Sequence, residues 1–298
     1  MKPTIQTEGL TKDYGKGRGV FGLDFAVQPG EVFGFLGPNG AGKTTTIRQL
    51  MGFVRPDSGS ARILGLDCFS QAPAIQAQTG YLPGELALPE DLTGEGLIRF
   101  VAAMRGQKDL SRARELCDRF QLDGRQRLRR MSKGTKQKMA LVCAFMARPT
   151  VLLLDEPTSG LDPLMQNRFV ELVLEEKARG ATVFLSSHQF EEVERTCDRV
   201  AVLRRGRLAA IEPVERLRSA RSRRYTFTFA QPRQAADFAA GWQGAAVEDT
   251  KVTVQLQGAH RLPALLQSAA QNQVTGLETA GQSLEEMFLK LYGEENAG

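Results

Sequence analysis

The sequence predicts an α/β fold built on a parallel sheet, followed by a smaller α+β domain. Short apolar runs, for example 151–154, lie between glycine-rich or proline-containing turns and alternate with helical stretches. Such runs are typical of strands that are buried on both faces of a parallel sheet. Beyond Pro213 the pattern changes to strands in which apolar and polar residues alternate, as in 225–229. We therefore expect a large first domain, 1–213, and a small second one, 214–298.

A glycine-rich loop follows the apolar run 31–36 and has the sequence Gly37-Pro38-Asn39-Gly40-Ala41-Gly42-Lys43-Thr44-Thr45. It fits the pattern G-x-x-x-x-G-K-[ST] between a strand and a helix, where backbone N–H groups and the helix N-terminus face phosphate oxygens. Lys43 would reach the β- and γ-phosphates, and Thr44 would offer its hydroxyl to Mg²⁺. A glycine-rich turn without a ligand would not explain the Lys-Thr pair at this offset, so we expect nucleotide binding.

An acidic pair, Asp155-Glu156, ends the apolar run 151–154. A carboxylate at the carboxyl end of a strand beside a phosphate loop can hold Mg²⁺ through its water shell, which is the role expected of Asp155. Glu156 is then placed to polarise an attacking water. By itself, an acidic pair could equally cap a strand and begin a turn. Together with the phosphate loop, it predicts a hydrolytic site.

Three further segments surround these two motifs. Residues 132–138, Ser-Lys-Gly-Thr-Lys-Gln-Lys, open an apolar helical stretch before the acidic pair. Residues 159–163, Ser-Gly-Leu-Asp-Pro, follow the pair, and 186–188, Ser-Ser-His, close the next apolar run. With five motifs in this order between residues 4 and 212, the chain resembles the nucleotide-binding subunit of an ATP-binding cassette (ABC) transporter. The resemblance implies a P-loop NTPase core of the ABC type with an inserted α-helical arm at about 86–134.

The resemblance also implies roles for matched residues. In that family the signature serine and glycine, here Ser132 and Gly134, bind the γ-phosphate of ATP held by the opposite subunit, so a homodimer or another cassette dimer is expected. Asp162 becomes an element of the dimer interface, and His188 becomes a γ-phosphate contact that helps to organise the water. Tyr14 matches the aromatic residue that stacks on adenine, although an aromatic residue near a terminus more often packs in a core.

Two places depart from the family pattern. The family usually has glutamine after the strand that we predict at 80–83, where it touches Mg²⁺ and couples the site to the membrane subunit, but this chain has Gly84 and then Glu85. Either Glu85 takes over the metal contact one residue later, or the metal keeps an extra water. The signature carries Lys133 where glycine is usual and Lys136 where glutamine is usual. The Ser-Lys-Gly variant is similar to that of bacterial exporters of drugs and antibiotics.

Composition indicates the setting of the protein. The chain has 298 residues, 42% of them hydrophobic, and a formal net charge of +5. Its longest uninterrupted apolar stretch, 139–147, is far shorter than the roughly 20 residues of a membrane helix, and the N-terminus lacks a signal-peptide core. Four scattered cysteines without a C-x-x-C spacing indicate reduced packing residues in a cytosolic protein. Together with the resemblance to ABC transporters, which implies a separately encoded transmembrane permease that determines the cargo, this composition leads us to expect a peripheral protein at the cytoplasmic face of the cell membrane.

The basic composition also raises an alternative function. A soluble ABC-type ATPase could act on nucleic acid or the ribosome, with the arginines of 216–224 meeting phosphates. Translation-associated ABC proteins usually carry two cassettes in one chain, and the DNA-repair relatives carry long coiled coils. The sequence has neither feature, so we expect no nucleic-acid partner. A P-loop kinase would leave the signature and His188 without a role. The expectation is therefore an ATP-hydrolysing motor subunit of an ABC exporter, with ATP and Mg²⁺ as its ligands.

The second domain begins with a charged segment, 214–224, that we expect to be helical. The remaining pattern predicts the order β-α-β-β-α-β-α, with its last strand at 274–277 and an amphipathic closing helix at 283–291. This order suggests a ferredoxin-like fold. The domain contains no residue cluster with catalytic spacing, so we expect a dimerisation or regulatory module.

Overall fold

The computed structural model describes residues 2–219, 222–257 and 261–281. The chain forms two compact units, Met1–Glu212 and Pro213–Gly298. Within the described residues, no helix combines the length and the apolar character needed to cross a membrane.

The first unit contains an antiparallel sheet, a parallel sheet and the helices that connect and cover their strands. Its elements, in chain order, are β1 (Ile5–Asp13), β2 (Gly19–Val27), β3 (Val32–Leu36), α1 (Lys43–Leu50), β4 (Ser58–Ile63), β5 (Leu66–Asp67), α2 (Ala72–Gln78), β6 (Thr79–Leu82), α3 (Gly94–Met104), α4 (Ser111–Arg119), α5 (Lys133–Phe145), β7 (Val151–Asp155), α6 (Pro163–Ala178), β8 (Thr182–Ser187), α7 (Phe190–Thr196), β9 (Arg199–Arg204) and β10 (Arg207–Pro213).

The parallel sheet has the strand order β10-β9-β3-β8-β7-β6. Strand β3 pairs in parallel with β8 and β9, and β7 pairs in parallel with β6 and β8. Every residue of β3, β7 and β8 is buried, as the apolar runs predict. Because the carboxyl ends of parallel strands lie at one edge of a sheet, the segments that follow β3, β7 and β8 meet there.

The antiparallel sheet, in the order β2-β1-β4-β5, packs on the parallel sheet through aromatic rings. Phe25 on β2 lies 5.6 to 5.8 Å, between ring centroids, from Phe33, Phe35 and Phe184. All four rings are at most 5% exposed, so they remove a large apolar area from water. This core holds β3 and β8, the two strands that carry the phosphate loop and the segment of His188.

Helices α3 and α4, a 3-10 turn at Leu128–Arg130 and the start of α5 form the helical arm expected from the sequence. Thr93 caps α3, since its hydroxyl oxygen accepts the backbone N–H of Gly96 at 3.1 Å. Ion pairs join α4 to α6: Arg112 Nη2 lies 3.2 Å from Glu176 Oε1, and Arg119 Nη1 lies 2.7 Å from Glu175 Oε2. The contacts from α4 to α6 connect the arm to the part of the core that follows β7.

The second unit is an antiparallel sheet with two helices. Its elements are α8 (Val214–Ser219), β11 (Ser222–Thr228), α9 (Pro232–Ala240), β12 (Ala246–Glu248), β13 (Lys251–Gln257), α10 (Leu262–Gln271) and β14 (Gly276–Gly281). The strand order is β12-β13-β11-β14. Phe227, Phe238, Val254 and Leu265 belong to a buried cluster that joins the sheet to both α9 and α10.

Two boundaries predicted for the second unit are wrong. The helix expected over 214–224 ends at Ser219, and Arg223 and Arg224 lie in β11, where they pair with Leu256 and Gln255 of β13. An exposed arginine is compatible with either state, and strand pairing decides between them. The last described strand begins at Gly276 rather than at residue 274. The predicted closing helix at 283–291 lies outside the described residues.

Candidate nucleotide-hydrolysis site

The phosphate loop occupies the turn between β3 and α1. Gly40 and Gly42 have φ values of 81° and 109°, a region that favours glycine, and a Cβ atom on Gly42 would lie 2.5 Å from Val20 Cγ1. Lys43, the first residue of α1, is 6% exposed, and its ammonium group donates to the carbonyl oxygens of Gly37 at 2.6 Å and Pro38 at 3.3 Å. The ammonium charge is thereby held over the loop. Pro38, Asn39 and Gly40 are exposed, Gly37 and Ala41 are buried, and Thr44 and Thr45 are half-buried in the first turn of α1.

Asp155 ends β7 and is fully buried. Its Oδ1 accepts the hydroxyl of Ser186, at the end of β8, at 2.5 Å. Among the described residues, no donor reaches its Oδ2. A Cβ atom on Gly84 would lie 2.8 Å from this same Oδ2, so the glycine keeps the space beside the oxygen open. Asp155 therefore presents one bound and one free carboxylate oxygen at the edge of the sheet.

Glu156 turns sharply away from β7 with a φ of 49°, which is unusual for a residue with a side chain. Its backbone N–H donates to the carbonyl oxygen of Ser186 at 3.1 Å, and this bond holds the turn. The side chain then reaches back over the phosphate loop. Its Oε1 lies 3.0 Å from Lys43 Nζ, and its Oε2 lies 2.5 Å from His188 Nδ1. The carboxylate thus bridges a cation and an imidazole.

His188 follows β8 and is 46% exposed. A carboxylate can only accept a hydrogen bond, so Nδ1 carries the hydrogen in its contact with Glu156. The Nε2 atom is therefore the ring nitrogen left to meet a ligand. The expected grouping of Lys43, Asp155, Glu156 and His188 is present at one edge of the parallel sheet.

The signature segment begins helix α5. Ser132 caps this helix, since its hydroxyl oxygen accepts the backbone N–H of Thr135 at 3.2 Å. A Cβ atom on Gly134 would lie 2.5 Å from the carbonyl oxygen of Gly160, so the backbones of the signature and of the segment before Asp162 approach closely. Asp162 caps α6, since its Oδ1 accepts the N–H of Met165 at 3.0 Å.

Tyr14 and Glu85 lie on two other loops. Tyr14, between β1 and β2, is 49% exposed, and the ammonium group of Lys12 lies 5.9 Å from its ring centroid. Glu85 follows β6, is exposed, and lines a cavity of about 400 Å³ together with Lys133 and Lys136. The site roles of these two residues remain predictions.

Sequence reasoning did not predict the supporting roles of three residues of the site. Ser186 holds Asp155, and Gly84 leaves room beside it. Gln137 of α5 donates from its amide to the carbonyl oxygens of Glu156 at 3.3 Å and Pro157 at 3.0 Å, which ties the signature helix to the hydrolytic segment. The sequence does indicate a buried hydrogen-bonding role for Gln137, because a glutamine inside an apolar helix needs buried hydrogen-bond partners.

Comparison with known proteins places the chain in a family. The family model described as ABC transporter matches residues 20–159. The daunorubicin/doxorubicin resistance ATP-binding protein DrrA of Streptomyces peucetius is 38% identical over 211 residues, which are 69% of this chain and 64% of that protein. The chain thus spans less than two thirds of the length of DrrA. The linearmycin resistance ATP-binding protein LnrL of Bacillus subtilis (strain 168) is 36% identical over 212 residues, which are 70% of this chain and 68% of that protein.

A solved structure supports the same assignment. The structure described as an ATP binding subunit of an ABC transporter superposes with a TM-score of 0.68 at 33% sequence identity, and the match covers 72% of this chain and 92% of that one. The resemblance expected from the motifs is confirmed, as is the mixed α/β cassette fold of the first unit. The chain belongs to the family of ABC transporter ATP-binding proteins.

Proposed function

We propose that this chain hydrolyses MgATP as the motor subunit of an ABC exporter, working as a cassette dimer with a separate membrane-spanning permease. The observation that carries the proposal is the Glu156 carboxylate, held 3.0 Å from the Lys43 ammonium and 2.5 Å from the His188 ring beside the phosphate loop. In this arrangement a base, a phosphate-binding cation and a second phosphate contact share one small region.

The residues of the loop fit the triphosphate of ATP. Gly42 has no side chain to cap α1, so the N–H groups of the first turn are available to anionic oxygens. The ammonium group of Lys43 faces the loop carbonyls and Glu156, a position from which it can move to the β- and γ-phosphates. The half-exposed ring of Tyr14 is proposed to stack on the adenine.

The residues beside Asp155 fit Mg²⁺. Asp155 Oδ2 has no hydrogen-bond donor among the described residues, and Gly84 leaves the adjacent space open. The described part of the chain holds no cluster of three or more metal-binding side chains, and Mg²⁺ bound to a nucleotide needs only one or two protein ligands besides phosphates and water. We assign Asp155 and the Thr44 hydroxyl to the ion, with Glu85 as a further candidate ligand. When bound, Mg²⁺ neutralises charge on the phosphate oxygens.

In the proposed mechanism Glu156 is the general base. Its carboxylate accepts a proton from the attacking water while His188 Nδ1–H donates to its Oε2, and in the imidazolium form His188 also donates from Nε2–H to a γ-phosphate oxygen. Lys43 exchanges its contact with Glu156 for the phosphates, which frees Oε1 for the water. The positive φ of Glu156 directs the carboxylate back over the loop and thereby sets this geometry.

The dimer is proposed from the signature. Ser132 and Gly134 lie at the N-terminus of the 13-residue helix α5, where an anion is favoured. Gly160 lies against Gly134, so the signature and the segment before Asp162 can form one continuous surface. We propose that this surface completes the ATP site of a second cassette, either a copy of this chain or another subunit.

The partner and the location are proposed from the relatives. DrrA and LnrL are named as ATP-binding proteins of resistance to particular antibiotics. By analogy, this chain would act at the cytoplasmic face of the membrane with a separately encoded permease that selects the cargo.

We also infer that the second unit, 214–298, is a ferredoxin-like accessory module. The strand order β12-β13-β11-β14, antiparallel pairing throughout, and the helices α9 and α10 support this fold. The first unit, Met1–Glu212, carries every residue to which we assign a role in hydrolysis. An assembly or regulatory role is therefore proposed for the second unit.

ATP hydrolysis measured with different partners tests this function. The chain purified with its co-purifying membrane protein in lipid vesicles is expected to hydrolyse MgATP faster than the chain alone. Stimulation by RNA or DNA, with no effect of the membrane protein, would instead support an ATPase that acts on a nucleic-acid machine. Absence of MgATP hydrolysis under all conditions would overturn the proposal.

A further inference from the structure

A glutamine of the signature helix contacts the backbone of the residue proposed as the base. Gln137 lies on α5 and is 3% exposed. Its Nε2 donates to the carbonyl oxygen of Glu156 at 3.3 Å and to that of Pro157 at 3.0 Å. A buried amide that bonds two successive carbonyl groups fixes that stretch of backbone relative to the helix.

The backbone of Glu156 needs such support. Its φ of 49° lies in the left-handed region, which costs free energy for a residue with a side chain and persists where surrounding contacts fix it. On one side of its Cα atom, the N–H of Glu156 donates to the carbonyl oxygen of Ser186 at 3.1 Å. On the other side, its carbonyl oxygen accepts the N–H of Ser159 at 3.1 Å, within the same loop, and the amide of Gln137, from another element. Strand β8 and helix α5 therefore hold the two peptide groups that set this conformation.

The conformation of Glu156 determines where its carboxylate lies. Rotation of the backbone out of the left-handed region would carry the side chain away from the phosphate loop, where Oε1 lies 3.0 Å from Lys43 Nζ. The contact with His188 Nδ1 at 2.5 Å would be lost as well. A displacement of about 1 Å at a reacting group can lower a rate about 100-fold. Gln137 can thus influence hydrolysis without touching the nucleotide.

The helix that carries Gln137 also carries the signature. Ser132 caps α5, and Gly134 lies in its first turn, against the carbonyl oxygen of Gly160. Gln137 follows Gly134 by three residues, so about one helical turn separates it from the signature. In the dimer proposed above, this signature faces the ATP of the second cassette, whereas Glu156 serves the ATP of its own.

We propose that Gln137 is a positioning residue for ATP hydrolysis: from the helix that serves the ATP of the second cassette, it holds Glu156 in the conformation needed for hydrolysis in its own. This inference rests on the function proposed above. It assigns Gln137 no contact with the nucleotide and no part in proton transfer.

Steady-state kinetics of Gln137→Met test the proposal, because methionine keeps the length of the side chain and removes the amide. We expect kcat to fall by about 10- to 100-fold, the range for a displaced catalytic group, while nucleotide affinity stays within about twofold.

Gln107→Met is the matched control. The Nε2 atom of Gln107 also donates to two backbone carbonyl oxygens, those of Asp109 at 2.9 Å and Met146 at 3.3 Å. Met146 follows the opposite end of α5 from the signature, so this variant loses the same kind of contact away from Glu156. Its kcat should match that of the wild type.

A second variant keeps the test decisive if Gln137→Met does not fold. Gln137→Asn keeps the amide but lacks one methylene group, so its nitrogen falls short of the two carbonyl oxygens. It should show the same fall in kcat at unchanged nucleotide affinity, although its polarity and shape differ from those of methionine.

Mixed dimers, purified through a different affinity tag on each copy, test whether Gln137 acts on the base of its own chain. In the first, one copy carries Glu156→Gln and the other carries Gln137→Met, so the remaining base lacks its glutamine contact. In the second, one copy carries both substitutions and the other is wild type, so the remaining base keeps that contact. We expect the second mixed dimer to hydrolyse MgATP about 10-fold faster than the first, or more.

Two outcomes would overturn the inference. One is a wild-type kcat in a folded Gln137→Met or Gln137→Asn. The other is a second mixed dimer that is no faster than the first, which would place the effect of Gln137 at the signature rather than at the base. Failure of the function itself is distinguishable, since the wild-type chain would then hydrolyse no MgATP.

Discussion

Gly84 lies against the Asp155 carboxyl group, and a Cβ atom at this position would be 2.8 Å from Asp155 Oδ2. The alternative side chain for the metal is Glu85, which is exposed on the same loop. The family usually has a metal-contacting glutamine at this place, and Gly84 and Glu85 correspond to two explanations of how the site works without it. In one, the ion needs the space that Gly84 leaves, and in the other it needs the carboxylate of Glu85.

We predict that Gly84→Ala raises the Mg²⁺ concentration required for half-maximal ATP hydrolysis by about 10-fold or more, since the methyl group displaces Asp155 or its water shell. Titration of Mg²⁺ at fixed ATP measures this shift. Gly241→Ala is the matched control, because its new Cβ atom would have ordinary van der Waals distances, with the Phe238 carbonyl oxygen at 3.6 Å. The same Mg²⁺ dependence in both variants would contradict the role of Gly84. A shift in Glu85→Ala instead would assign the ion to that carboxylate.

Motif spacing was sufficient to predict the chemical groups of the site. Lys43, Asp155, Glu156 and His188 were expected from sequence, and the structure brings them together. The residues that support Asp155 could not be predicted from the sequence. Ser186 and Gly84 lie beside Asp155 only because separate strands pair with each other. The positive φ of Glu156 could not be predicted from the sequence either, because the neighbouring backbone imposes this conformation on a residue that does not favour it.

Helix α7 provides a prediction at the scale of one element. Burial raises the pKa of Glu192 to about 7, above the ordinary value of 4.5 for a glutamate. A raised pKa in the folded state means that the folded protein retains a proton that the unfolded chain releases. This contribution to stability is fully present below pH 4.5 and is lost as the pH rises through about 7.

We therefore predict that wild-type protein loses stability relative to Glu192→Gln by about 2–3 kcal/mol between pH 5 and pH 8. Urea denaturation of both proteins at the two pH values measures the difference, in which the contributions of all other groups cancel. A constant difference between the two proteins across this range would show that Glu192 titrates normally. Glu191→Gln is the control, because it makes the same substitution at an exposed position of the same helix.

At the scale of single elements, the sequence predicted the presence of strands and helices better than the residues at which they end. The buried strands β3 and β7 were recognisable because unbroken apolar runs are typical of parallel sheets. The helix expected over 214–224 was too long, because Arg223 and Arg224 are compatible with a helix until β13 provides a pairing partner. The ion pairs between α4 and α6 join residues more than 50 positions apart, and no local pattern indicates them.

The chain divides into two compact units, and the boundary between them lies between Glu212 and Pro213. The buried cluster around Phe33 and Phe184 lies within the first unit, and the cluster around Phe227 and Phe238 lies within the second. Each unit thus has a core of its own, as expected of a separable domain. The residues that we assign to ATP hydrolysis all precede this boundary.

We predict that truncation after Pro213 leaves nucleotide affinity nearly unchanged but makes hydrolysis depend more steeply on protein concentration. A tail that keeps two cassettes near each other would raise their effective concentration. Without the tail, the fraction of paired cassettes would fall as the protein is diluted. Specific activity of full-length and truncated chains across a dilution series tests this. Coincident curves would exclude an assembly role and favour a regulatory or partner-binding one.

The central claim is that Glu156 is the base of an ATPase, and steady-state hydrolysis by Glu156→Gln tests it most directly. Glutamine cannot accept the proton of water, and it removes the negative charge that faces Lys43 at 3.0 Å, so binding should be retained while chemistry stops. We predict that kcat falls by about 10²–10⁴-fold with nucleotide affinity at or above the wild-type value, while Glu191→Gln behaves as wild type. Near-normal hydrolysis of MgATP by Glu156→Gln would contradict the account.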